Sequence, residues 1–207
     1  MAYSLAVSGS DWSEIRIMEC ATGRLLADCI HWVKFSCAVW CGEGFYYSGF
    51  DAPDTGKEYE AQSLAQKIFY HRLGSEQSDD QTVYHDPEHP QRYFQASVSR
   101  DEQHLFIIAS EGTSGSEVLY RRIEDETEFQ LLFSGFDYDY TFVCADRGEA
   151  LFLTNEQAPN GKVVRAILQD KPQIEPWLPE SDNRLIQVTS AGGAYFAHCL
   201  KDACSEI

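Results

Sequence analysis

Short β-prone runs separated by polar tips recur along this chain, and one stretch shows the pattern most clearly. In FQASVSRDEQHLFIIASEG, Phe94 to Gly112, the runs FQASVS and HLFIIAS flank Arg100, Asp101 and Glu102, which predicts a hairpin. The same phrase recurs as SCAVWCGEGFYYSGF from Ser36, TFVCADRGEALFLTN from Thr141 and IQVTSAGGAYFAHC from Ile186. The turn residues align as well: Gly42 and Gly44, Asp101, Arg147 with Gly148, and Gly192 with Gly193. Glycine reaches positive φ cheaply at such tips. Successive repeats lie about 58, 47 and 45 residues apart. A unit of roughly 40 to 50 residues is the length of a four-stranded propeller blade, and the apolar period is two rather than 3.6, which excludes a solenoid of helix pairs.

Taken in order, Tyr3 to Val7, Glu14 to Glu19 and Leu25 to Ile30 predict three strands of a blade lacking its first. A second blade takes Ser36 to Trp40, Gly44 to Phe50, Lys67 to Leu73 and Thr82 to His85, interrupted by a polar insertion, Asp51 to Gln62. The third runs through the opening hairpin to Glu117–Ile123 and Phe129–Phe133; the fourth has Tyr138 to Ala145, Ala150 to Thr154, Val163 to Leu168 and Ile174 to Leu178. A fifth begins at Leu185 and is expected to stop after its second strand, near Leu200. One short helix is predicted, Tyr59 to Lys67. The predicted fold is therefore all-β: a partial β-propeller of roughly four four-stranded blades, divided at about 1–32 (incomplete), 33–91, 92–136, 137–181 and 182–207 (incomplete). An open ring of blades leaves strand edges available for pairing, so the chain is expected to be a piece of a larger ring.

Composition narrows the function. The 207 residues are 43% apolar and 13% aromatic, enough for a folded core. Sixteen Lys plus Arg against 33 Asp plus Glu give a formal charge of −17, which repels phosphate backbones and anionic membrane surfaces and argues against a nucleic-acid partner. No apolar run approaches the ~20 residues that span a bilayer, and MAYSLAVSGSDW lacks signal-peptide regions; a cytoplasmic location is expected. The seven cysteines contain no CxxC pair, so neither a disulfide framework nor a zinc ribbon is predicted. They read as mostly small buried residues in a reducing compartment. Cys37 and Cys41, about 13 Å apart on an extended run, cannot bridge each other.

Several constellations carry possible chemistry. His85-Asp86-Pro87-Glu88-His89 has metal-ligand types, but Pro87 denies it a regular helix, and a polar loop is the better reading. Asp137 and Asp139 share a strand face, as carboxylates for calcium or for a glycosidase with Glu149 do; an ordinary strand is favoured. SEGTSGSE has no following Lys and opens no helix, so it is no phosphate cradle. The aromatic run Phe45, Tyr46, Tyr47 and Phe50 reads as packing between blades. No cofactor is expected.

The motifs GSDW (Gly9 to Trp12), EIRIMECATGRLL (Glu14 to Leu26), HWVKFS (His31 to Ser36), KIFYHRLGSEQSDDQTVYHDPEHPQ (Lys67 to Gln91), SEGTS (Ser110 to Ser114) and LLFSGFDYDYTF (Leu131 to Phe142) resemble, in order and over essentially the whole chain, the propeller domain of the prolyl oligopeptidase family of proline-specific serine endopeptidases. The resemblance implies a fragment of a seven-bladed propeller that caps an α/β-hydrolase catalytic domain, expected in cis, and limits access to short proline-containing peptides. No G-x-S-x-G elbow occurs here, so this chain alone is not expected to cleave a peptide bond.

By motif, the resemblance also implies four peptide-contacting residues. Phe35, the aromatic of VKFS, would face an apolar peptide side chain. Tyr93 stands where the family often has methionine or another bulky apolar residue. Ser110 stands where many members have an arginine before Glu-Gly, and Thr113 follows it. Ser110 removes a cation that could meet a peptide carboxylate or pair with Asp11. A freestanding propeller-type interaction module is the alternative reading, and a propeller glycosidase the third.

Overall fold

The computed structural model describes residues 1–6, 11–52, 64–124 and 128–207. The strands are β1 (Ala2–Ala6), β2 (Ser13–Met18), β3 (Leu25–Val33), β4 (Val39–Cys41), β5 (Gly44–Gly49), β6 (Lys67–Arg72), β7 (Gln81–His85), β8 (Tyr93–Val98) and β9 (His104–Ser110). They continue with β10 (Glu117–Arg122), β11 (Gln130–Phe133), β12 (Tyr140–Asp146), β13 (Glu149–Thr154), β14 (Lys162–Ile167), β15 (Gln173–Leu178), β16 (Arg184–Ala191), β17 (Ala194–Lys201) and β18 (Cys204–Glu206). Among the described residues the one helical turn is a 3-10 turn, Gln77–Asp79. The helix expected over Tyr59 to Lys67 falls largely outside the described residues, and its last residue opens β6.

Strands adjacent in sequence are adjacent in the sheets, which hold β1–β3, β4–β7, β8–β11, β12–β15 and β16–β18. This is the all-β, bladed architecture the repeats predict. The chain divides into two compact units, Met1–Ala96 and Ser97–Ile207, and the division falls within β8. The last sheet corrects one expectation: it has a third strand, β18, paired antiparallel with β17. Its turn is made by Asp202 and Ala203 at φ 48° and 62°, so no glycine announced it. Arg147–Gly148 and Gly192–Gly193 close their hairpins with the same pair of positive φ values, the geometry whose twist suits antiparallel strands. Pro176 sits in β15, at the edge of the fourth sheet, where a missing N–H costs least.

The cores lie between consecutive sheets. In the first unit Ile15, Ile17, Ile30 and Val33 pack on Phe45 and Tyr47 of β5. Every residue of β5 is buried, because this strand is covered on both faces; GFYYSG therefore shows an aromatic run instead of alternation. In the second unit Phe106, Val118 and Phe133 of the third sheet meet Tyr140, Phe152 and Val164 of the fourth, with Phe133 and Tyr140 stacked at 4.1 Å. Leu151 and Val163 in turn meet Leu185 and Val188 of the last sheet. Each such side chain contributes about 1.5–3 kcal/mol on burial. The seven cysteines do not follow the buried reading: all are free, but only Cys41 is buried, while Cys20, Cys37 and Cys204 are exposed. Cys144 and Cys199 are half-buried against the core beside the last sheet, and, Cys41 aside, the others lie in loops, turns or on outward strand faces, which the period-two pattern does not separate from inward ones when the residue is small.

A polar knot crosses the first unit's core. His71 of β6, 1% exposed, lies with Nε2 3.2 Å from Asp28 of β3 and Nδ1 2.7 Å from Asp80. Tyr47 donates its hydroxyl to the other oxygen of Asp80 at 2.7 Å; burial and that carboxylate hold the phenol protonated. The Gly74 amide donates to Asp28 at 2.5 Å. Each buried polar atom thus has a partner, and one deletion strands two others. We expect Asp80→Ala to destabilise the chain by about 2–5 kcal/mol, the cost of leaving the buried His71 Nδ1 and Tyr47 hydroxyl without their partner, measured as a lowered urea midpoint; a loss within ~1 kcal/mol would show that the knot is not coupled.

Candidate functional site

Phe35 sits just after β3, in a bend that two left-handed residues create: Trp32 at φ 58° and Phe35 itself at φ 52°. Such conformations cost a bulky residue of order 1–3 kcal/mol unless the surroundings hold them. Here the surroundings do. The Trp32 carbonyl accepts the Phe50 amide at 3.0 Å, and Ser36 Oγ accepts the Ser48 amide at 2.7 Å. Trp12 packs edge-on against both Trp32 and Phe50, and Lys34 Nζ lies 4.2 Å over its ring.

The result is an aromatic side chain held in water. Phe35 is 73% exposed, and its ring meets Tyr93, at the start of β8, edge to face at 5.6 Å. Gln66 fixes that meeting. Buried, with 1% exposure, it donates Nε2 to the Lys34 carbonyl at 3.1 Å and accepts the Phe94 amide on Oε1 at 2.7 Å. One amide thereby clips the bend carrying Phe35 to the strand carrying Tyr93. Nothing in the sequence marked Gln66: it is a single polar residue ahead of an apolar run, and its role exists only once the two segments meet.

Tyr93 is approached through the loop after β7, where the HDPEH stretch forms the expected polar loop. Asp86 accepts the Glu88 and His89 amides at 3.2 and 3.3 Å, His89 Nδ1 at 2.9 Å and Arg92 at 3.1 Å. Burial would raise the Asp86 carboxyl, but the His89 hydrogen bond and the charges of His89 and Arg92 outweigh it and hold it below the ordinary carboxylate range.

Ser110 and Thr113 belong to the second unit. Ser110 ends β9 half-buried, and Thr113 is exposed in the loop that follows. The loop is tied at its far end, where Gly115 donates to Asp139 at 2.7 Å, and Ser116 Oγ accepts the Tyr140 amide at 2.8 Å. The other oxygen of Asp139 accepts Asn155 at 3.0 Å, so this carboxylate is a loop tether. Gly115 has φ 79°, and a Cβ there would lie 1.8 Å from the Phe136 carbonyl oxygen. The opposite end of β9 opens on a cleft of about 680 Å³ lined by Asp101, His104, Arg121 and Arg147 among others. It contains neither Ser110 nor Thr113.

One group among the described residues has metal-ligand types in reach of one another: Glu14, Cys29 and His31. Sequence reading passed over it, because the residues come from two strands and join only through their register.

A model of the prolyl oligopeptidase N-terminal β-propeller domain matches residues 1–207. The chain belongs to this family. It is 34% identical to the prolyl endopeptidase of Elizabethkingia miricola over 211 residues, covering 100% of this chain and 30% of that protein. It is 28% identical to the dual function macrocyclase-peptidase POPB of Galerina marginata, covering 97% and 30%. Among solved structures, a prolyl endopeptidase analysed for inter-domain dynamics superposes with a TM-score of 0.88 at 34% identity, over 99% of this chain and 30% of that one. Prolyl oligopeptidase B from Galerina marginata, bound to a 35mer hydrolysis and macrocyclization substrate, gives 0.83 at 26% identity, over 97% and 30%. This prolyl oligopeptidase propeller chain thus spans about 30% of the length of the relatives it matches. No helix among its described residues is long and apolar enough to cross a membrane.

Two expectations follow. Gly115→Ala should destabilise the second unit by more than ~1 kcal/mol, from strain at positive φ plus the clash, and shift the Thr113 amide resonance; an unchanged spectrum and urea midpoint would show the loop to be slack. A carboxyl whose folded pKa is depressed lends stability above its unfolded pKa, near ~3.9, and loses it as pH falls through the folded value. Asp86→Asn should therefore cost stability at pH 7 but little near pH 2, with the gap in urea midpoint closing below about pH 4; an equal gap at both would remove the charge as its cause.

Proposed function

We propose that this chain is the substrate-gating, peptide-access-limiting propeller portion of a proline-specific serine oligopeptidase. The observation that carries the reading is the Phe35–Tyr93 pair. A phenylalanine ring held largely in water by a strained bend, a buried amide clip and one edge contact gains nothing for the fold from its free face. An apolar peptide side chain covering that face would remove it from water at ~25 cal/mol per Å². The polar Ser110–Thr113 loop offers hydroxyls for peptide backbone, with no cation at Ser110 to attract a carboxylate. Family membership supports the setting: an α/β-hydrolase domain in cis supplies the nucleophile, and this chain supplies blades divided near residues 33, 91, 136 and 181. Its mechanism is steric, admitting short proline-containing peptides and excluding folded proteins. Seven free thiols accord with a reducing, cytoplasmic setting.

The test places residues 1–207 in the Elizabethkingia miricola prolyl endopeptidase in exchange for the matching segment. The chimera is expected to cleave a short peptide after proline and to spare folded proteins. Phe35→Ala should raise KM about fivefold with kcat little changed, the sign of lost uniform binding worth ~1 kcal/mol. An unchanged kcat/KM would remove Phe35 from the peptide's path, and cleavage of folded proteins as fast as short peptides would overturn the gate.

A further inference from the structure

On the open face of the first sheet, β2 and β3 bring together a thiol, an imidazole and a carboxylate. Cys29 and His31 are two residues apart on β3 and so point to the same side. Glu14 reaches them from β2, where bulges on either side shift the pairing, from Ser13↔Val33 to Ile15↔Ile30 and from Arg16↔Cys29 to Met18↔Leu25. Cys29 Sγ lies 3.2 Å from His31 Nε2 and 3.7 Å from Glu14 Oε2, and His31 Nδ1 lies 3.2 Å from Glu14 Oε1. An ion with tetrahedral bonds of about 2.3 Å to sulfur and 2.0–2.2 Å to nitrogen and oxygen sets its ligand atoms roughly 3.3–3.7 Å apart. Sγ–Nε2 and Sγ–Oε2 lie near two such edges; with one ligand atom taken from each residue, all three lie within 4.8 Å of one another, and a turn of the imidazole or carboxylate closes the third edge.

We propose that Glu14, Cys29 and His31 form a binding site for a borderline-soft divalent cation, zinc above all, with the fourth position open to water. Two further features suit the site to an ion. Arg16 donates Nε and a terminal nitrogen to Glu14 Oε2 at 3.0 and 2.7 Å; it orients the carboxylate, the part an outer partner plays for a metal-bound carboxylate. On the other side the Gln77 amide accepts the His31 N–H at 2.9 Å and donates to the His31 carbonyl at 3.1 Å, fixing the backbone from which the imidazole projects. His31 has 48% of its side chain exposed and Glu14 22%, which gives an ion an entry path. Ligation by a thiolate displaces the Cys29 proton, so binding tightens as pH rises. The bound ion cross-links β2 to β3 at the unit's first sheet.

Cobalt(II) titrated into the full 207-residue chain under reducing conditions tests this. The expected result is a near-ultraviolet thiolate-to-cobalt charge-transfer band with visible bands of tetrahedral intensity, saturating at one equivalent and bleached by zinc. Zinc should also raise the Tm, by an amount that grows with the logarithm of its concentration above Kd. Cys29→Ser should abolish the charge-transfer band, and His31→Asn and Glu14→Gln should each weaken binding at least tenfold. These side chains lie on a solvent-facing strand surface, so the metal-free variants should keep the parent Tm. A missing charge-transfer band, or one that survives Cys29→Ser through the exposed Cys20, Cys37 or Cys204, would overturn the proposal. A variant that loses both the band and its metal-free Tm is decided by the other two: undiminished cobalt affinity in both also overturns it.

Discussion

No sheet in this protein can stand alone, and the rest of the structure depends on that constraint. Each sheet is a three- or four-stranded meander of three- to nine-residue strands, whose apolar face must be buried against another element. Stability comes when an aromatic or β-branched face meets the face of the next sheet: Ile15 and Ile30 against Phe45 and Tyr47, Phe106 and Phe133 against Tyr140 and Phe152, Leu151 and Val163 against Leu185 and Val188. The strands β5 and β9 are buried along nearly their whole length. They are also the strands in which alternation gives way to continuous apolar runs.

Because packing energy is concentrated between sheets, the connecting segments are free to carry strain and polarity. The bend at Trp32 and Phe35 is tolerable because Gln66, Ser36 and the Trp12 cluster hold it from several directions. The Ser110–Thr113 loop is tolerable because Asp139 and Ser116 anchor its far end. In both cases a buried or half-buried polar side chain satisfies backbone groups that the strand ladder leaves over. The residues that family resemblance singles out ride on these supports. Their neighbours, which carry no functional signal of their own, decide their positions.

The same division explains the polar knot and the Glu14–Cys29–His31 group. His71, Asp28 and Asp80 sit inside the inter-sheet core and are mutually satisfied, so they serve the fold. Glu14, Cys29 and His31 occupy the opposite, solvent-facing side of β2 and β3. There the core neither fills nor constrains them, and Arg16 and Gln77 alongside hold Glu14 and the His31 backbone.

Much of this could be read from the chain itself. Period-two alternation, turn residues at repeated offsets and the long matching motifs established strands, hairpins, blades and family, because each is a local property: a strand alternates whatever lies beyond it, and glycine marks a turn wherever positive φ is needed. β18 escaped because Asp202 and Ala203 take positive φ without glycine, and the cysteines were misjudged because a small side chain suits either face. What only tertiary structure decided was which residues meet. Gln66 joining Lys34 to Phe94, Phe35 resting on Tyr93, and Glu14 facing Cys29 and His31 across two shifts of register all depend on chain segments brought together by packing. Pairing register and burial are set by the summed contacts of whole sheets, and no local run of residues encodes them.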